Sequence, residues 1–199
     1  MKNSGMTIFA AAIAVFCLQA CHSNKDSKAT ADSTNKANDV TSKPANDIAT
    51  ATGMTTDSQD AKFAVEAANG GMAEVMLSRL AQDKGSGKVK DFGAMMVMDH
   101  RKANNELMTL AKGKNITLPS VVGADEQKYF NDLSKKSGED FDKAYIQLMI
   151  DDHKNDIKVF DDASKNLKDP DLKAFADKTL PTLKMHLSSI VKIDSALKK

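Results

Sequence analysis

Residues 58–84 read SQDAKFAVEAANGGMAEVMLSRLAQDK and are followed by Gly85-Ser86-Gly87. Apolar residues recur in this stretch at the spacing of an α-helix, and the glycines interrupt that spacing, so we predict a long helix that ends at Lys84. The next helical pattern begins directly after the glycines and extends to about Lys112. Because the connection between the two is so short, we expect the two helices to pack antiparallel to each other.

The second half of the chain repeats this arrangement. A shorter helix is predicted over residues 125–136, and two long helices over residues 139–167 and 169–196, the last capped by Asp169-Pro170. Pro181 is expected to kink the last helix or to end its first two turns. Since no strand-like alternation of useful length occurs, residues 58–199 are predicted to be all-α: an antiparallel four-helix bundle with one short extra helix between the second and third long helices.

The N-terminal 20 residues have the layout of a bacterial lipoprotein signal peptide. Lys2 precedes an uncharged apolar run over residues 6–18, which is too short to span a bilayer and matches a secretory h-region. The run ends in Leu18-Gln19-Ala20-Cys21, which resembles the lipobox of bacterial lipoproteins, where the Cys becomes the first mature residue and carries the lipid. Cys21 is therefore the predicted lipidation site, and an ordinary secretory signal with an incidental Cys is the alternative.

Residues 21–57 are predicted to be the lipidated Cys followed by a disordered tether. They consist mainly of Ser, Thr, Asn, Asp, Lys and Ala, and such a composition cannot bury enough surface to offset the entropy of ordering the chain. By resemblance to other lipoproteins, His22 after the Cys favours sorting to an outer membrane. We therefore expect an envelope protein that is anchored to a membrane by its lipid and faces the periplasm or the surface.

The charge and the scarce residues exclude several classes of protein. The chain carries 28 Lys and Arg against 27 Asp and Glu, a net charge of +1, and so lacks the basic excess of a nucleic-acid binder. Both cysteines lie in the N-terminal region, which excludes a disulfide scaffold or a Cys-based zinc site in the helical part. No Gly-rich phosphate loop or nucleophile motif occurs, so an organic cofactor is not indicated and enzyme activity is the least favoured function.

Each long helix carries a polar residue on the face that should be buried. At 100° per residue, Glu74, His100 and His186 fall within the apolar stripes of the first, second and fourth long helices. His153 lies beside the stripe of the third. Counted from the connecting turns at a rise of ~1.5 Å per residue, all four have similar heights. We therefore predict that the four side chains converge in the core.

Three imidazoles and one carboxylate suit a single transition-metal ion, which would be zinc, iron, manganese or copper. Asp99, Asp152 and Asp156 are close enough in sequence to accept hydrogen bonds from ring N–H groups or to act as additional ligands. The alternative is a buried polar network without metal, in which Glu74 pairs with a histidine and all polar groups are satisfied by protein partners.

A series of short motifs also runs through the helical part of the chain. They include, in order, Ala67-Ala68, Gly70-Gly71, Val89-Lys90-Asp91-Phe92, Asp99-His100, Leu118-Pro119, Phe141-Asp142, Leu180-Pro181-Thr182-Leu183 and His186-Leu187. This order resembles the bacterial domain of unknown function 4142 family over about residues 57–195. The resemblance implies a ferritin-like helical bundle in secreted or envelope-anchored proteins and implies no established activity.

The histidines do not follow the pattern of a ferritin-type di-iron site. Such sites use paired Glu-x-x-His segments, whereas Val97, Ile150 and Leu183 stand three residues before the three histidines of the helical part. The sequence therefore favours a lipid-anchored envelope protein whose bundle binds one metal ion for storage, stress protection or structural closure. The competing hypothesis is an envelope structural or interaction module that holds no metal.

Overall fold

The computed structural model describes residues 26–39 and 57–198, and within these ranges the chain forms six α-helices and no β-strand. The helices are α1 (Ser27–Asn38), α2 (Ser58–Lys84), α3 (Gly87–Gly113), α4 (Ala124–Ser134), α5 (Gly138–Asn166) and α6 (Pro170–Leu197). The prediction of an all-α fold is confirmed for this part of the chain. None of these helices is both long and apolar enough to cross a membrane.

Helix α1 corrects the prediction of a disordered tether. Asp26 caps the helix by accepting a hydrogen bond from the backbone N–H of Lys28 at 2.9 Å. The Asn35 amide group exchanges two hydrogen bonds of 2.8 Å with the backbone of Thr117, and Ala31 is buried. The amino-acid composition did not predict this helix, because polar tertiary contacts, rather than a large apolar face, stabilise it. The predicted signal peptide, Cys21 and the remainder of the tether lie outside the described residues.

The long helices form two antiparallel pairs, α2 with α3 and α5 with α6, as the short connections predict. Gly85 and Ser86 join the first pair, and Gly87 begins α3 at a φ of +40°, which costs glycine little because it has no Cβ. Asp169 begins α6 by accepting hydrogen bonds from two backbone N–H groups, and Pro170 fills the first helical position. Helix α6 continues through Pro181, so of the two expected effects of this proline the end of the first two turns is wrong, and the kink stays a prediction.

The core consists of two apolar clusters, and α2, α3, α5 and α6 contribute to both. The first cluster includes Phe63, Leu107, Phe160, Phe175 and Leu183, and the second includes Leu77, Phe92, Met96, Tyr145, Met149 and Ile190. Along each of these four helices, a buried glutamate or histidine falls between the members of the first cluster and the members of the second. These residues are Glu74, His100, His153 and His186. A polar layer therefore separates two apolar layers.

Candidate metal centre

The four side chains predicted to converge lie together in the polar layer. His153 and His186 are fully buried, His100 is 6% exposed and Glu74 is 3% exposed. The three ring centroids are 5.2 to 5.8 Å apart. One nitrogen from each ring lies within 4.8 Å of the corresponding nitrogens of the other two. The fold therefore brings the rings of three different helices to one point.

We name the ring nitrogen that faces a hydrogen-bond acceptor the outer nitrogen, and the other one the inner nitrogen. The acceptor determines that the ring proton sits on the outer nitrogen. His153 Nδ1 donates to the backbone oxygen of Met149 at 2.9 Å, and His186 Nε2 donates to Asp99 Oδ2 at 2.9 Å. His100 Nδ1 lies 2.8 Å from Glu74 Oε2 and donates to it when that oxygen carries no proton. Because a neutral imidazole carries one proton, the inner nitrogen of each ring presents a lone pair.

These inner nitrogens face one another without a hydrogen-bond donor between them. His153 Nε2 lies 3.3 Å from His186 Nδ1, and His100 Nε2 is buried and has no hydrogen-bond partner. Two nitrogen ligands at 2.0–2.1 Å from a tetrahedral ion are about 3.3–3.4 Å apart, so this separation suits metal ligation. An acceptor on the outer nitrogen of a ring is also the usual arrangement around metal-bound histidines.

The surroundings keep the rings uncharged at neutral pH. Burial lowers the pKa of His100 to about 4. Burial, together with the neighbouring His100 and His186, lowers the pKa of His153 to about 3. Burial also lowers the pKa of His186, although its hydrogen bond to Asp99 acts in the opposite direction. Neutral imidazole is the form that binds metal ions, so no proton has to leave these rings at pH 7.

Glu74 faces the outer nitrogens of the rings. Its Oε2 accepts the hydrogen bond from His100, and its Oε1 lies 3.5 Å from His153 Nδ1, whose proton is directed to Met149. Oε1 is buried and has no hydrogen-bond partner. Glu74 is therefore placed to orient His100, and it leaves one buried oxygen atom unsatisfied.

The other two predicted aspartates, Asp152 and Asp156, line a cavity together with Glu74. Donor atoms of Glu74, His153 and Asp156 form a second group within 4.8 Å of one another. Burial, reinforced by neighbouring carboxylates, raises the pKa of Glu74 and of Asp156 well above the usual values. Burial and the charge of Asp156 raise the pKa of Asp152 to about 7. These shifts favour the protonated, uncharged form of the three carboxyl groups, because burial penalises their ionised form.

Two cavities adjoin the site. One of about 350 Å³ lies between α2, α4 and α5 and is lined by Glu74, Asp152 and Asp156 among others. A smaller one of about 20 Å³ touches Glu74, His100 and Asp156 from the side of α3. The sequence indicated neither cavity, because both depend on how far the helices stand apart. The carbonyl of Met149 was also missed, since a backbone acceptor carries no sequence signal beyond its position four residues before His153.

Comparisons with known proteins give a family and a fold. The family described as Domain of unknown function (DUF4142) matches residues 44–193. Among solved structures, the crystal structure of a DUF305 fragment from Deinococcus radiodurans is similar, with a TM-score of 0.62 and 11% identity over 69% of this chain and 96% of that chain. At that identity the similarity concerns the fold alone. No curated protein matches the chain.

Proposed function

The chain belongs to the family described as Domain of unknown function (DUF4142), a membership that assigns no activity, and we propose that it binds one transition-metal ion between His100, His153 and His186. The ligand atoms are His100 Nε2, His153 Nε2 and His186 Nδ1. Glu74 and Asp99 accept the protons of the outer ring nitrogens and orient the rings. This gives Glu74 an orienting role instead of the ligand role that the sequence predicts.

The observation that carries the proposal is the meeting of three lone pairs in a buried site with no donor. A buried polar atom without a partner costs about 1–3 kcal/mol, and His100 Nε2 is such an atom. His153 Nε2 and His186 Nδ1, both acceptors, have only each other. A metal ion satisfies all of them at once. In the competing network without metal, His153 Nε2 and His186 Nδ1 are two acceptors held 3.3 Å apart, an arrangement that destabilises the fold.

The ligand set narrows the choice of metal. Three imidazole nitrogens favour zinc, copper or iron over manganese, which prefers oxygen ligands. We propose a binding role, such as metal storage, stress protection or stabilisation of the fold, and assign no reaction to the site.

The test uses the full chain without a His tag and titrates it with Co²⁺, a spectroscopic substitute for zinc. We expect one equivalent to bind with the visible absorption of a tetrahedral nitrogen site, and Zn²⁺ to displace it. Zn²⁺ at 100 times its dissociation constant should stabilise the protein by about 2.7 kcal/mol, which raises the melting temperature of a domain of this size by about 5–10 °C.

His153→Gln should abolish this binding, and His22→Gln, which changes a histidine of the predicted tether, is the matched control. Absence of stoichiometric binding, or binding that His153→Gln leaves intact, contradicts the proposal. The first result favours the structural module without metal, and the second means that the metal binds elsewhere in the chain.

We also propose a setting for the domain that rests on the sequence. The lipobox-like Leu18-Gln19-Ala20-Cys21 supports anchoring of the chain in the bacterial envelope, on an outer membrane. The two antiparallel helix pairs, with contacts from α2 to α5 and from α3 to α6, support a ferritin-like four-helix bundle. Expression of the full chain with Cys21→Ser tests the anchor: the variant should leave the membrane fraction, and retention there contradicts the proposal.

A further inference from the structure

An apolar groove lies on the surface where α2, α3 and the segment that follows α3 meet. It encloses about 560 Å³, and most of its lining is apolar, with Met72, Met108, Ile116, Leu118 and Pro119 as the larger side chains. Met108 is 58% exposed, and Val121, directly after the groove residue Ser120, is 61% exposed. Large apolar side chains that are exposed beside an apolar groove mark an interaction surface.

The N-terminus of α1 contacts the rim of this groove. Ser27, the first residue of α1, accepts hydrogen bonds from the backbone N–H groups of Ser120 at 2.9 Å and of Val121 at 3.4 Å. Asn35, near the other end of the helix, exchanges two hydrogen bonds with the backbone of Thr117. The chain that precedes α1 therefore meets the folded domain at the groove.

This position of α1 limits the distance between the groove and the proposed lipid on Cys21. Asp26 caps α1 and lies five residues after Cys21. Since a fully extended chain spans ~3.3–3.6 Å per residue, the Cα atoms of Cys21 and Asp26 are at most about 18 Å apart. A disordered tether over residues 21–57 would let the domain face the membrane in any orientation. The short connection to α1 instead holds the rim of the groove near the lipid.

We propose that the groove face, which we define as the groove with Met108 and Val121, rests on the membrane that carries the Cys21 lipid. The apolar side chains then lie in the interfacial region of the bilayer, where apolar area is removed from water. Lys112 also lines the groove and has no ion-pair partner among the described residues, so its ammonium group is available to anionic lipid headgroups. The proposal rests on the lipid anchor proposed above and is independent of the metal site.

The experiment measures the membrane contact of single fluorescent labels. The full chain is expressed in bacteria, and the lipidated mature protein is reconstituted in vesicles of phosphatidylethanolamine and phosphatidylglycerol. Signal removal and lipidation use both cysteines of the chain, so Met108→Cys and Val121→Cys each provide one free thiol for an environment-sensitive fluorophore. We expect blue-shifted emission at both positions, and quenching by lipids that carry a spin label near the headgroup.

Val191→Cys is the matched control, because Val191 is 41% exposed and lies beside the second apolar cluster, whereas Met108 lies beside the first. Its label should be quenched several-fold less. With the label on Val121→Cys, the additional substitution Met108→Asp should reduce the quenching several-fold, because a carboxylate is costly to place among acyl chains and is repelled by anionic lipids. Met98→Asp, which changes another exposed methionine of α3, should leave the quenching unchanged.

The outcomes separate this proposal from the anchor on which it rests. Equal quenching at Val121 and Val191 in a protein that stays in the membrane fraction, or quenching that Met108→Asp leaves unchanged, overturns the membrane contact of the groove face alone. Blue-shifted emission without quenching by the lipids means that a segment of the chain or a second copy covers the groove, and it also overturns the proposal. Release of the native chain into the soluble fraction contradicts the lipid anchor, and this proposal fails with it.

Discussion

Replacing Asp152 with Asn should stabilise the metal-free protein at pH 8 and have almost no effect at pH 4. The carboxyl group of Asp152 is mostly buried, and burial together with Asp156 raises its pKa from 3.8 to about 7. Between these values the folded state holds a proton that the unfolded state has released. The free energy of unfolding therefore falls as the pH rises from about 4 to 7, and the whole cost of the charge is present above pH 7.

The size of the effect follows from this shift of about three pKa units. At 1.36 kcal/mol per unit, the upper limit is about 4 kcal/mol at pH 8. We expect about 2 kcal/mol, because Asp152 lines a cavity and water screens part of its charge. That stabilisation corresponds to a rise in melting temperature of about 4–8 °C for a domain of this size. The Asn side chain has nearly the shape of the protonated carboxyl, so packing should not change.

The assay is urea denaturation followed by circular dichroism at pH 4 and pH 8, in the presence of a chelator. Asp162→Asn is the control, since this aspartate of the same helix is exposed. A variant that is equally or less stable than the native chain at pH 8 refutes the reasoning about uncompensated charge in the cavity.

Three further predictions concern the ring orientation, the helix packing and a helix start. Asp99→Asn should weaken Co²⁺ binding about 10–100-fold in a chelator competition, with the exposed Asp91→Asn as control. Gly93→Ala should destabilise the fold by about 1–3 kcal/mol, measured by urea denaturation, because the added Cβ would lie 2.8 Å from the backbone oxygen of Ser78. Gly113→Ala is the control and should leave stability unchanged, because no atom lies within 4 Å of a Cβ added there. Asp60→Asn should lower the free energy of unfolding by about 1–3 kcal/mol. The two carboxylate oxygens of Asp60 accept two backbone hydrogen bonds of 3.0 Å before α6, and the single oxygen of an amide can accept only one of them. Unchanged stability contradicts this role of Asp60.

The positions of the long helices were accessible from the sequence because their signals are local. Apolar residues repeat at helical spacing, and glycines or Asp169-Pro170 mark the ends, so the predicted bounds lie within two residues of the observed ones. Helix α1 shows the limit of such reasoning. Its stability comes from Asn35 pairing with Thr117, 82 positions away, and no local pattern encodes that contact.

The candidate site also has features that the sequence predicts and features that it does not. Helical periodicity and residue counting select Glu74, His100, His153 and His186, because position around and along a helix follows from sequence number alone. The sequence could not assign their roles. Which nitrogen of each ring points inward depends on side-chain rotamers and on the acceptors across the core, as the hydrogen bonds of His153 and His186 show.

The sequence by itself therefore determined the long helices, their antiparallel pairing and the identity of the four residues in the polar layer, since each of these follows from short-range spacing. Only the tertiary structure decided that three ring lone pairs meet, that Glu74 contacts the outer nitrogens, and that an acidic cavity adjoins them. The physical reason is that hydrogen-bond direction and cavity volume depend on distances of a few tenths of an ångström between different helices. Packing of the whole core sets those distances.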